Sequence, residues 1–278
     1  MTTTVGEALE GASLQLQPHS DSPSSDAQLL LRETIGKPRA WILAHPESEL
    51  RSDQLAKFKT SLAELQSGAA LPHVLGWWEF YGRRFQLEPQ VFIPRPETEL
   101  LIEHALNRSA PATSILDVGT GSGCIAVTLA LELPESRVIA SDLSWKALKV
   151  ARRNIDDYDA GQQIMLVNSS LVDAFAGPFD LVCANLPYIP TVQLAQLEVA
   201  RKEPRIALDG GSLGTEFIYE ALERLPGILA KGGCALFEID PDQAAGVIDQ
   251  ARLSFPLAEL RIEEDLSGRD RLLVIERA

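Results

Sequence analysis

One segment constrains the fold of this chain more than any other: LDVGTGSGCIAV, residues 116–127. An apolar run leads into it and another leads out, which predicts a buried strand, a short loop and the start of a helix. Gly119, Gly121 and Gly123 give the loop access to positive φ and allow a ligand to approach its backbone. Ligands bind at the carboxyl ends of the strands in open α/β sheets. The segment therefore predicts a ligand-binding loop at one edge of an α/β sheet.

Strand-like and helical patterns alternate from residue 114 onwards. The strand-like runs are SILDVG, RVIASD, QIMLVNSS, FDLVCAN and GGCALFEID, and helical runs such as SWKALKVARRNI lie between them. Such alternation is typical of parallel strands joined by crossover helices. Only SGRD separates the last two strand-like segments, LRIEEDL and RLLVIERA. This join is too short for a helical crossover, so we expect the last two strands to be antiparallel.

The spacing of the glycines indicates which ligand the loop binds. A dinucleotide loop needs G-x-G-x-x-G or a closing Ala, but Cys124 stands at the closing position. The actual spacing is G-x-G-x-G, and it resembles the S-adenosylmethionine loop of class I methyltransferases more than a nicotinamide loop. Further along, RVIASD ends in Asp142, whose carboxylate can accept both ribose hydroxyls of a nucleoside. Asp142 could also cap the following helix, and the two roles are compatible.

The segment ANLPYIP, residues 184–190, ends a strand-like run with polar, aromatic and proline residues. It resembles the [DN]-P-P-[YF] signature of methyltransferases that act on planar nitrogen groups, adenine amines and glutamine amides. The Asn185 side-chain carbonyl and the Leu186 backbone carbonyl can accept the two hydrogens of an NH2 group. Tyr188 can lie flat against the planar group, and Pro187 stiffens the backbone between them. Leu186 stands where the signature usually has its first proline.

A series of motifs extends this resemblance over most of the chain. In order they are FYGRRF, FIPRPETELLIEHAL, LDVGTGSGCIAV, ANLPYIP, EPRIALDGG, FEID and DLSGRDRLLV. From about Asp26 onwards the chain closely resembles the peptide-chain release factor glutamine methyltransferases of bacteria and organelles. The resemblance implies a class I, Rossmann-like α/β fold with a mainly parallel seven-stranded sheet and a small N-terminal helical bundle. It also implies methyl transfer from S-adenosylmethionine to the glutamine side chain of a release factor's Gly-Gly-Gln motif.

The resemblance further implies which residues form the site. Those expected to act in catalysis are Asn185, Leu186, Pro187 and Tyr188. Those expected to bind S-adenosylmethionine are Asp117, Gly119, Thr120, Gly121, Ser122, Gly123, Asp142, Leu171 and Asn185. No metal is expected.

Some positions depart from the family pattern or allow two interpretations. Ser170 replaces an Asp that often precedes the residue flanking the adenine, and Leu171 takes the flanking place. Asp240 stands where the family favours Gly after FEI, a change for which the sequence offers no functional reason. Within EPRIALDGG, Arg205 and Asp209 fit an internal ion pair and substrate contacts equally well.

We divide the chain into four parts. The polar, Ser-rich residues 1–25 predict a disordered tail, and residues 26–75 carry helical patterns that predict a substrate-docking helical domain. Aromatic and β-branched residues around a glycine in residues 76–94 predict a linking β-hairpin, and residues 95–278 form the methyltransferase domain.

Charge and composition bear on the partners. The formal net charge of −14 disfavours a broad nucleic-acid surface and fits a basic partner, here the release factors. It counts against the alternative of an adenine-N6 methyltransferase for DNA or RNA. A protein that docks on release factors without catalysis is a further alternative. The three separated cysteines and the lack of a run of ~20 apolar residues favour a cytoplasmic protein without a membrane span, and we expect a monomer.

Overall fold

The computed structural model describes residues 3–278. The chain divides into two compact units, the first ending at Trp77 and the second covering Trp78–Ala278. The helices of the first unit are α1 (Val5–Leu16), α2 (Pro23–Ile35), α3 (Arg39–Ala44), α4 (Ser52–Gln66) and α5 (Leu71–Leu75). The predicted helical patterns correspond to α2, α3 and α4. The short α5 was not predicted; it has a proline in its first turn and ends at Gly76, whose φ is +77°.

The N-terminal segment is helical, so the prediction of a disordered tail over residues 1–25 is wrong for its described part. Thr4 Oγ1 accepts a hydrogen bond from the Glu7 N–H at 3.3 Å, and a Glu7 carboxylate oxygen accepts one from the Thr4 N–H at 2.9 Å. This reciprocal pair is a capping box, which starts α1. Residues 1 and 2 lie outside the described residues.

The buried face of α1 explains why the polar composition of residues 1–25 led to the wrong prediction of a disordered tail. The buried side chains of α1 recur at helical spacing and are Val5, Ala8, Ala12 and Leu16. They belong to the apolar core of the first unit, together with Leu30 and Leu31 of α2 and Phe58 of α4. Two of the four are alanines, which add little to the apolar content of a segment yet allow helices to pack closely. The helix is therefore stabilised by burial against its neighbours rather than by a strongly apolar sequence.

A β-hairpin follows, formed by β1 (Trp77–Phe80) and β2 (Arg83–Gln86). Tyr81 and Gly82 make the turn, with φ values of +50° and +68°. Two successive residues with positive φ match the twist that a two-residue hairpin needs. The strands are shorter than the predicted span of 76–94, because residues 87–94 have no strand structure. Pro89 and Pro94 fall in that stretch and cannot donate to a strand ladder.

The second unit contains the predicted α/β fold. Its remaining strands are β3 (Ser114–Val118), β4 (Arg137–Asp142), β5 (Ile164–Asn168), β6 (Phe179–Ala184), β7 (Leu229–Glu238), β8 (Glu259–Glu264) and β9 (Asp270–Glu276). Its helices are α6 (Glu99–Arg108), α7 (Cys124–Glu132), α8 (Trp145–Asp157), α9 (Thr191–Leu194), α10 (Val199–Lys202), α11 (Glu216–Arg224) and α12 (Ala244–Ser254).

These strands form a seven-stranded sheet within the described residues, in the order β5-β4-β3-β6-β7-β9-β8. The strands β3 to β7 pair in parallel, whereas β9 is antiparallel to both β7 and β8. The expected fold class and the antiparallel C-terminal pair are thus confirmed. The chain leaves β3 towards β4 and later returns to the other side of β3 as β6. Crevices at such switch points are where α/β sheets bind ligands.

We predict that Leu16→Ala weakens the first unit much more than Leu14→Ala, in the same helix. Leu16 is 0% exposed and Leu14 is 59% exposed. Truncating a buried leucine costs ~2–5 kcal/mol, because the transfer energy and the contacts around the new cavity are both lost. A surface change usually stays within ~0.5 kcal/mol. Urea unfolding, monitored by circular dichroism, measures the free energy of unfolding of both variants. Equal, small effects would show that α1 does not pack into this core.

Candidate functional site

A cavity of about 420 Å³ opens at the carboxyl ends of the parallel strands in the second unit. This volume falls in the range of small-molecule sites. The predicted residues that line it are Gly119, Thr120, Gly121, Ser122, Asp142, Leu171, Asn185, Leu186, Pro187 and Tyr188. Asp117 and Gly123 are not part of the lining. The opposite wall includes residues from two segments outside the sheet, among them Phe92, Arg95, Thr98, Ile206 and Phe217.

The glycine loop adopts the backbone conformation that its sequence predicts. Gly119, Gly121 and Gly123 have φ values of +74°, +57° and +82°. A Cβ at Gly119 would lie 3.2 Å from a Leu186 methyl carbon, and one at Gly123 would lie 3.1 Å from the Ala151 Cβ. Gly119 therefore lets the loop approach the ANLPYIP segment. Gly123 instead lets the start of α7 pack against α8, which is why it does not reach the cavity wall.

Asp142 holds the glycine loop in place. Its Oδ2 accepts a hydrogen bond from the Gly121 N–H at 2.9 Å, and its Oδ1 accepts one from the Ser144 N–H at 2.7 Å. Ser144 is the residue that caps α8, since its Oγ accepts from the Ala147 N–H at 3.2 Å. The suggested capping role thus belongs to Ser144. A carboxylate has about four acceptor positions, so Asp142 retains acceptor capacity towards the cavity.

Asp117 acts behind the loop rather than on the cavity wall. It is 0% exposed, and its Oδ2 accepts the Thr120 hydroxyl hydrogen at 2.6 Å. Its Oδ1 has no hydrogen-bond partner among the described residues. Burial raises the pKa of this carboxyl to about 7, although the bond from Thr120 opposes the shift. Asp117 therefore ties Thr120, a wall residue, to the end of β3.

Asn185 is oriented by two residues to which the sequence analysis assigned no role. Its Nδ2 donates to Thr98 Oγ1 at 3.1 Å and to Glu238 Oε2 at 2.9 Å. The Thr98 hydroxyl donates in turn to the same Glu238 oxygen at 2.6 Å. Because Thr98 Oγ1 and Glu238 Oε2 lie only 2.6 Å apart, both acceptors bind the same end of the Asn185 amide, its NH2 group. Oδ1 remains as the acceptor that the side chain can offer to a ligand.

Thr98 and Glu238 lie 87 and 53 residues from Asn185 along the chain. Both are 2% exposed, and burial raises the pKa of Glu238 to about 7. Each lies in a motif that the sequence singled out, PETE for Thr98 and FEID for Glu238. Their presence in those motifs was the available signal. No local spacing relates them to Asn185, because the contact depends on the order of the strands.

The backbone of the Leu186–Tyr188 segment is held by neighbouring loops. The Leu186 side chain is 4% exposed, so it packs in the interior while its backbone follows the cavity wall. The Tyr188 carbonyl accepts a hydrogen bond from Gln243 Nε2 at 2.7 Å. A Cβ at Gly210 would lie 2.7 Å from the Pro187 carbonyl oxygen, so only glycine permits this approach. Burial raises the pKa of the Tyr188 hydroxyl well above its usual value, which keeps the ring neutral.

Asp240 has a structural role that the sequence did not suggest. Its Oδ1 accepts a hydrogen bond from the Asp242 N–H at 3.0 Å, which caps a short 3-10 turn over Pro241–Gln243. Gln243, at the end of that turn, bonds the carbonyl of Tyr188. Asp240 thus helps to place a residue that supports the cavity wall.

The EPRIALDGG segment contains an internal ion pair. Arg205 Nε donates to Asp209 Oδ2 at 2.9 Å, and Asp209 Oδ1 accepts from the Thr191 hydroxyl at 2.5 Å and from the Gly211 N–H at 3.1 Å. The bond from Thr191, with those from Arg205 and Gly211, lowers the pKa of Asp209. Of the two interpretations of this pair, the geometry favours the internal one. The pair stabilises the loop that follows Ile206, a residue of the cavity wall.

Leu171 lies in the cavity wall with an unusual backbone conformation. Its φ is +44°, in the left-handed region that costs a non-glycine residue ~1–2 kcal/mol. Ser170, before it, also lines the cavity and is exposed. The neighbouring Ser169 N–H bonds the Asp142 carbonyl at 3.2 Å, which links this turn to the end of β4. The turn therefore adds an apolar side chain to the cavity that Asp142 also lines.

Other kinds of site find no support in the described residues. Within residues 3–278 no group of three or more His, Cys, Asp and Glu residues could hold a metal ion. In the same range no helix is both long and apolar enough to cross a membrane. None of the four histidines, all in the described part of the chain, lines the cavity.

Two sequence families match separate parts of the chain. Residues 7–76 match the family described as "PrmC N-terminal domain", and residues 94–203 match "Methyltransferase small domain". The first match covers the helices of the first unit, including most of α1. The second covers the glycine loop, Asp142 and the ANLPYIP segment.

Curated relatives match nearly the whole chain. The release factor glutamine methyltransferase of Chlorobaculum tepidum is 42% identical over 265 residues, covering 90% of this chain and 89% of that protein. The enzyme of the same name from Bacillus subtilis is 35% identical over 281 residues, covering 97% and 96%. A crystal structure of a methyltransferase from Pyrococcus furiosus matches with a TM-score of 0.55 at 16% identity, over 82% of this chain and 100% of that one. At that identity the likeness concerns the fold.

We predict that Asp117→Asn changes how the free energy of unfolding depends on pH. The native pKa of Asp117 is about 7, against an ordinary value of 3.8. Between these values the native state holds a proton that the unfolded chain has lost. Stability contributed by this group therefore falls as pH rises through the window, and the penalty is complete above pH ~7. Asparagine does not titrate, so Asp117→Asn does not lose stability as the pH rises through this window.

The measurement is urea unfolding of both proteins at several pH values between ~4.5 and ~8. One pKa unit corresponds to ~1.4 kcal/mol, and we expect the variant to gain at least that much relative to the wild type across the window. Parallel curves for the two proteins would show that the native carboxyl titrates normally.

Proposed function

The chain belongs to the release factor glutamine methyltransferases, and we propose that it methylates the side-chain amide nitrogen of the glutamine in the Gly-Gly-Gln motif of peptide-chain release factors, with S-adenosylmethionine as methyl donor. The modification supports translation termination. The observation that carries the proposal is the orientation of Asn185, whose Nδ2 is bound by Thr98 and Glu238 and whose Oδ1 is left for a substrate.

The polar and apolar residues of the cavity suit S-adenosylmethionine. The glycine loop offers backbone with no side chains at Gly119 and Gly121, which a polar ligand can approach closely. The Asp142 carboxylate suits two ribose hydroxyls, and the Leu171 side chain offers an apolar surface for the adenine. Thr120 and Ser122 add polar groups beside the glycines. Asp117 and Gly123 support this arrangement from behind the wall.

The same cavity can orient a glutamine amide. The nitrogen of an amide is a poor nucleophile, because its lone pair is delocalised into the carbonyl. Asn185 Oδ1 and the Leu186 carbonyl would accept its two hydrogens, while Tyr188 packs against its plane and Pro187 limits motion between them. When bound, S-adenosylmethionine supplies an electrophilic methyl group on a sulfonium. Alignment of this kind contributes ~7–11 kcal/mol in the most favourable systems.

The two acceptors also stabilise the positive charge that develops on the nitrogen as it is methylated. The methylated amide then loses a proton to solvent or to a nearby acceptor. It is so acidic that no strong base is needed beforehand. This agrees with a cavity wall without histidine among the described residues.

We further propose a type of partner, an oligomeric state and a cellular location. The net charge of −14 suits a basic folded substrate, and the helical unit that ends at Trp77 provides a docking surface beyond the cavity. We propose that the protein acts as a monomer in the cytoplasm, without sequence-specific binding to nucleic acid.

The function is tested with radiolabelled S-adenosylmethionine and purified release factor, RNA and DNA in parallel. We expect label on the release factor alone, at the glutamine of its Gly-Gly-Gln peptide by mass spectrometry. Label on nucleic acid, or on another residue, would refute the proposal.

We predict that Asn185→Ala lowers the turnover of release factor by ~10²–10³, because one of two preorganised acceptors is lost. The half-buried side chain contributes little packing, so we expect the fold to be retained and the affinity for S-adenosylmethionine to change little. The buried Glu238 loses one hydrogen-bond donor, which lowers stability by ~1–3 kcal/mol. Leu186→Pro is the matched control, since its acceptor is a backbone carbonyl that proline keeps. Its effect should be far milder, although the buried leucine side chain is lost. Normal turnover by Asn185→Ala with inactivity of Leu186→Pro would show that the roles are assigned wrongly.

We predict that Asp142→Ala weakens binding of S-adenosylmethionine at least ~10-fold, since hydrogen bonds to a charged acceptor are worth ~1.5–3 kcal/mol each. The change also frees the Gly121 N–H from its acceptor. Ser144→Ala removes the cap of α8 and one polar group of the cavity wall but keeps the Asp142 carboxylate, and it serves as the control. Isothermal titration calorimetry compares the two. Equal losses of affinity would mean that Asp142 acts only through the start of the helix.

A further inference from the structure

We propose that Thr98 and Glu238 are positioning residues that hold the amide of Asn185 with Oδ1 towards the substrate. The inference rests on the proposed function, because it assumes that the substrate presents an NH2 group. Neither residue touches the reacting atoms. Both act through Asn185. They lie far apart in the sequence of the second unit, since Thr98 precedes α6 and Glu238 ends β7.

Thr98 Oγ1, Glu238 Oε2 and Asn185 Nδ2 are all within hydrogen-bond distance of one another. The Thr98 hydroxyl donates its single hydrogen to Glu238 Oε2, at 2.6 Å. Only lone pairs of Thr98 Oγ1 then face Asn185 Nδ2, which donates to it at 3.1 Å. Nδ2 also donates to Glu238 Oε2, at 2.9 Å. When Glu238 is ionised, Thr98 and Glu238 together therefore present only acceptors to Asn185.

An acceptor-only pair discriminates between the two orientations of an asparagine amide. The oxygen and nitrogen of the amide have almost the same size, so shape alone distinguishes them poorly. If Asn185 flipped, its Oδ1 would face two acceptor oxygens, and two hydrogen bonds would be lost. Its NH2 would then face the NH2 of the substrate, and two donors cannot bond. The flipped orientation thus loses hydrogen bonds both to Thr98 and Glu238 and to the substrate.

Burial makes this discrimination strong. Thr98 and Glu238 are each 2% exposed, so water cannot readily replace either as a partner. A carboxylate in such a place needs hydrogen bonds, and Thr98 and Asn185 supply them. The cost of burying Glu238, seen in its raised pKa, indicates that the group is retained for more than packing.

The first arm of the test observes Asn185 without substrate or methyl donor. In protein labelled with 15N-asparagine, the side-chain NH2 signal of Asn185 is identified by its absence in Asn185→Ala. We expect the NH2 proton that faces Thr98 and Glu238 to exchange slowly with solvent in the wild type and in Thr98→Ser, which keeps the hydroxyl. Thr98→Val, of similar shape but without the hydroxyl, should speed the exchange at least ~10-fold, and so should Glu238→Gln. Glu97→Gln, an exposed neighbour, is the control for lost charge and should change nothing.

The second arm measures methyl transfer to release factor. Thr98→Val should lower kcat ~10-fold or more, with KM and the affinity for S-adenosylmethionine within ~2-fold of the wild type, and Thr98→Ser should restore most of the rate. Added to Asn185→Ala, Thr98→Val should lower the rate less than ~2-fold further, because it acts through Asn185. A residue that merely stabilises the fold would reduce both backgrounds alike.

The outcomes separate this inference from the function on which it rests. Unchanged exchange in Thr98→Val, or an equal loss of rate in both backgrounds, would overturn the positioning role. If the exchange arm behaves as expected but the wild type does not methylate release factor, the positioning of Asn185 stands and the proposed function fails.

Discussion

The parallel pairing of β3 with β4 on one side and with β6 on the other is the constraint on which the site depends. Because these strands run in the same direction, the segments that follow them meet at one edge of the sheet. The glycine loop, Asp142 and Asn185 come together there from positions far apart in the chain. β7 adds Glu238 at the same edge, beside β6. The order of the strands thus sets the position of the class I methyltransferase site, whichever side chains line it.

Two buried carboxyl groups support this edge in similar ways. Asp117 at the end of β3 binds Thr120 of the loop, and Glu238 at the end of β7 binds Thr98 and Asn185. In both cases burial raises the pKa to about 7, so the carboxyl lowers stability when it is ionised. Such a cost is typical of groups kept for a site rather than for the fold.

Tertiary contacts compensate for the missing first proline of the ANLPYIP segment. The Leu186 side chain is buried beside Gly119, and the Tyr188 carbonyl is bound by Gln243. Gln243 in turn lies on a turn that is capped by Asp240. Stiffness that proline would provide through a fixed φ is here provided by packing and hydrogen bonds. Two of the three departures from the family pattern, at positions 186 and 240, therefore both belong to the support of one wall.

The sequence by itself determined the alternating α/β class and the positive φ of the glycine loop, since these follow from local periodicity and from the conformational freedom of glycine. The roles along residues 185–188 were implied by the family resemblance and stay predictions. It also contained the signal for α1, a Thr4–Glu7 capping box, which its polar composition obscured. Only the tertiary structure decided that Ser144 caps α8, that Asp117 lies behind the wall, and that Thr98 and Glu238 hold Asn185. The physical reason is distance along the chain: a hydrogen bond between residues 53 or 87 positions apart depends on strand order and burial, which no local pattern records.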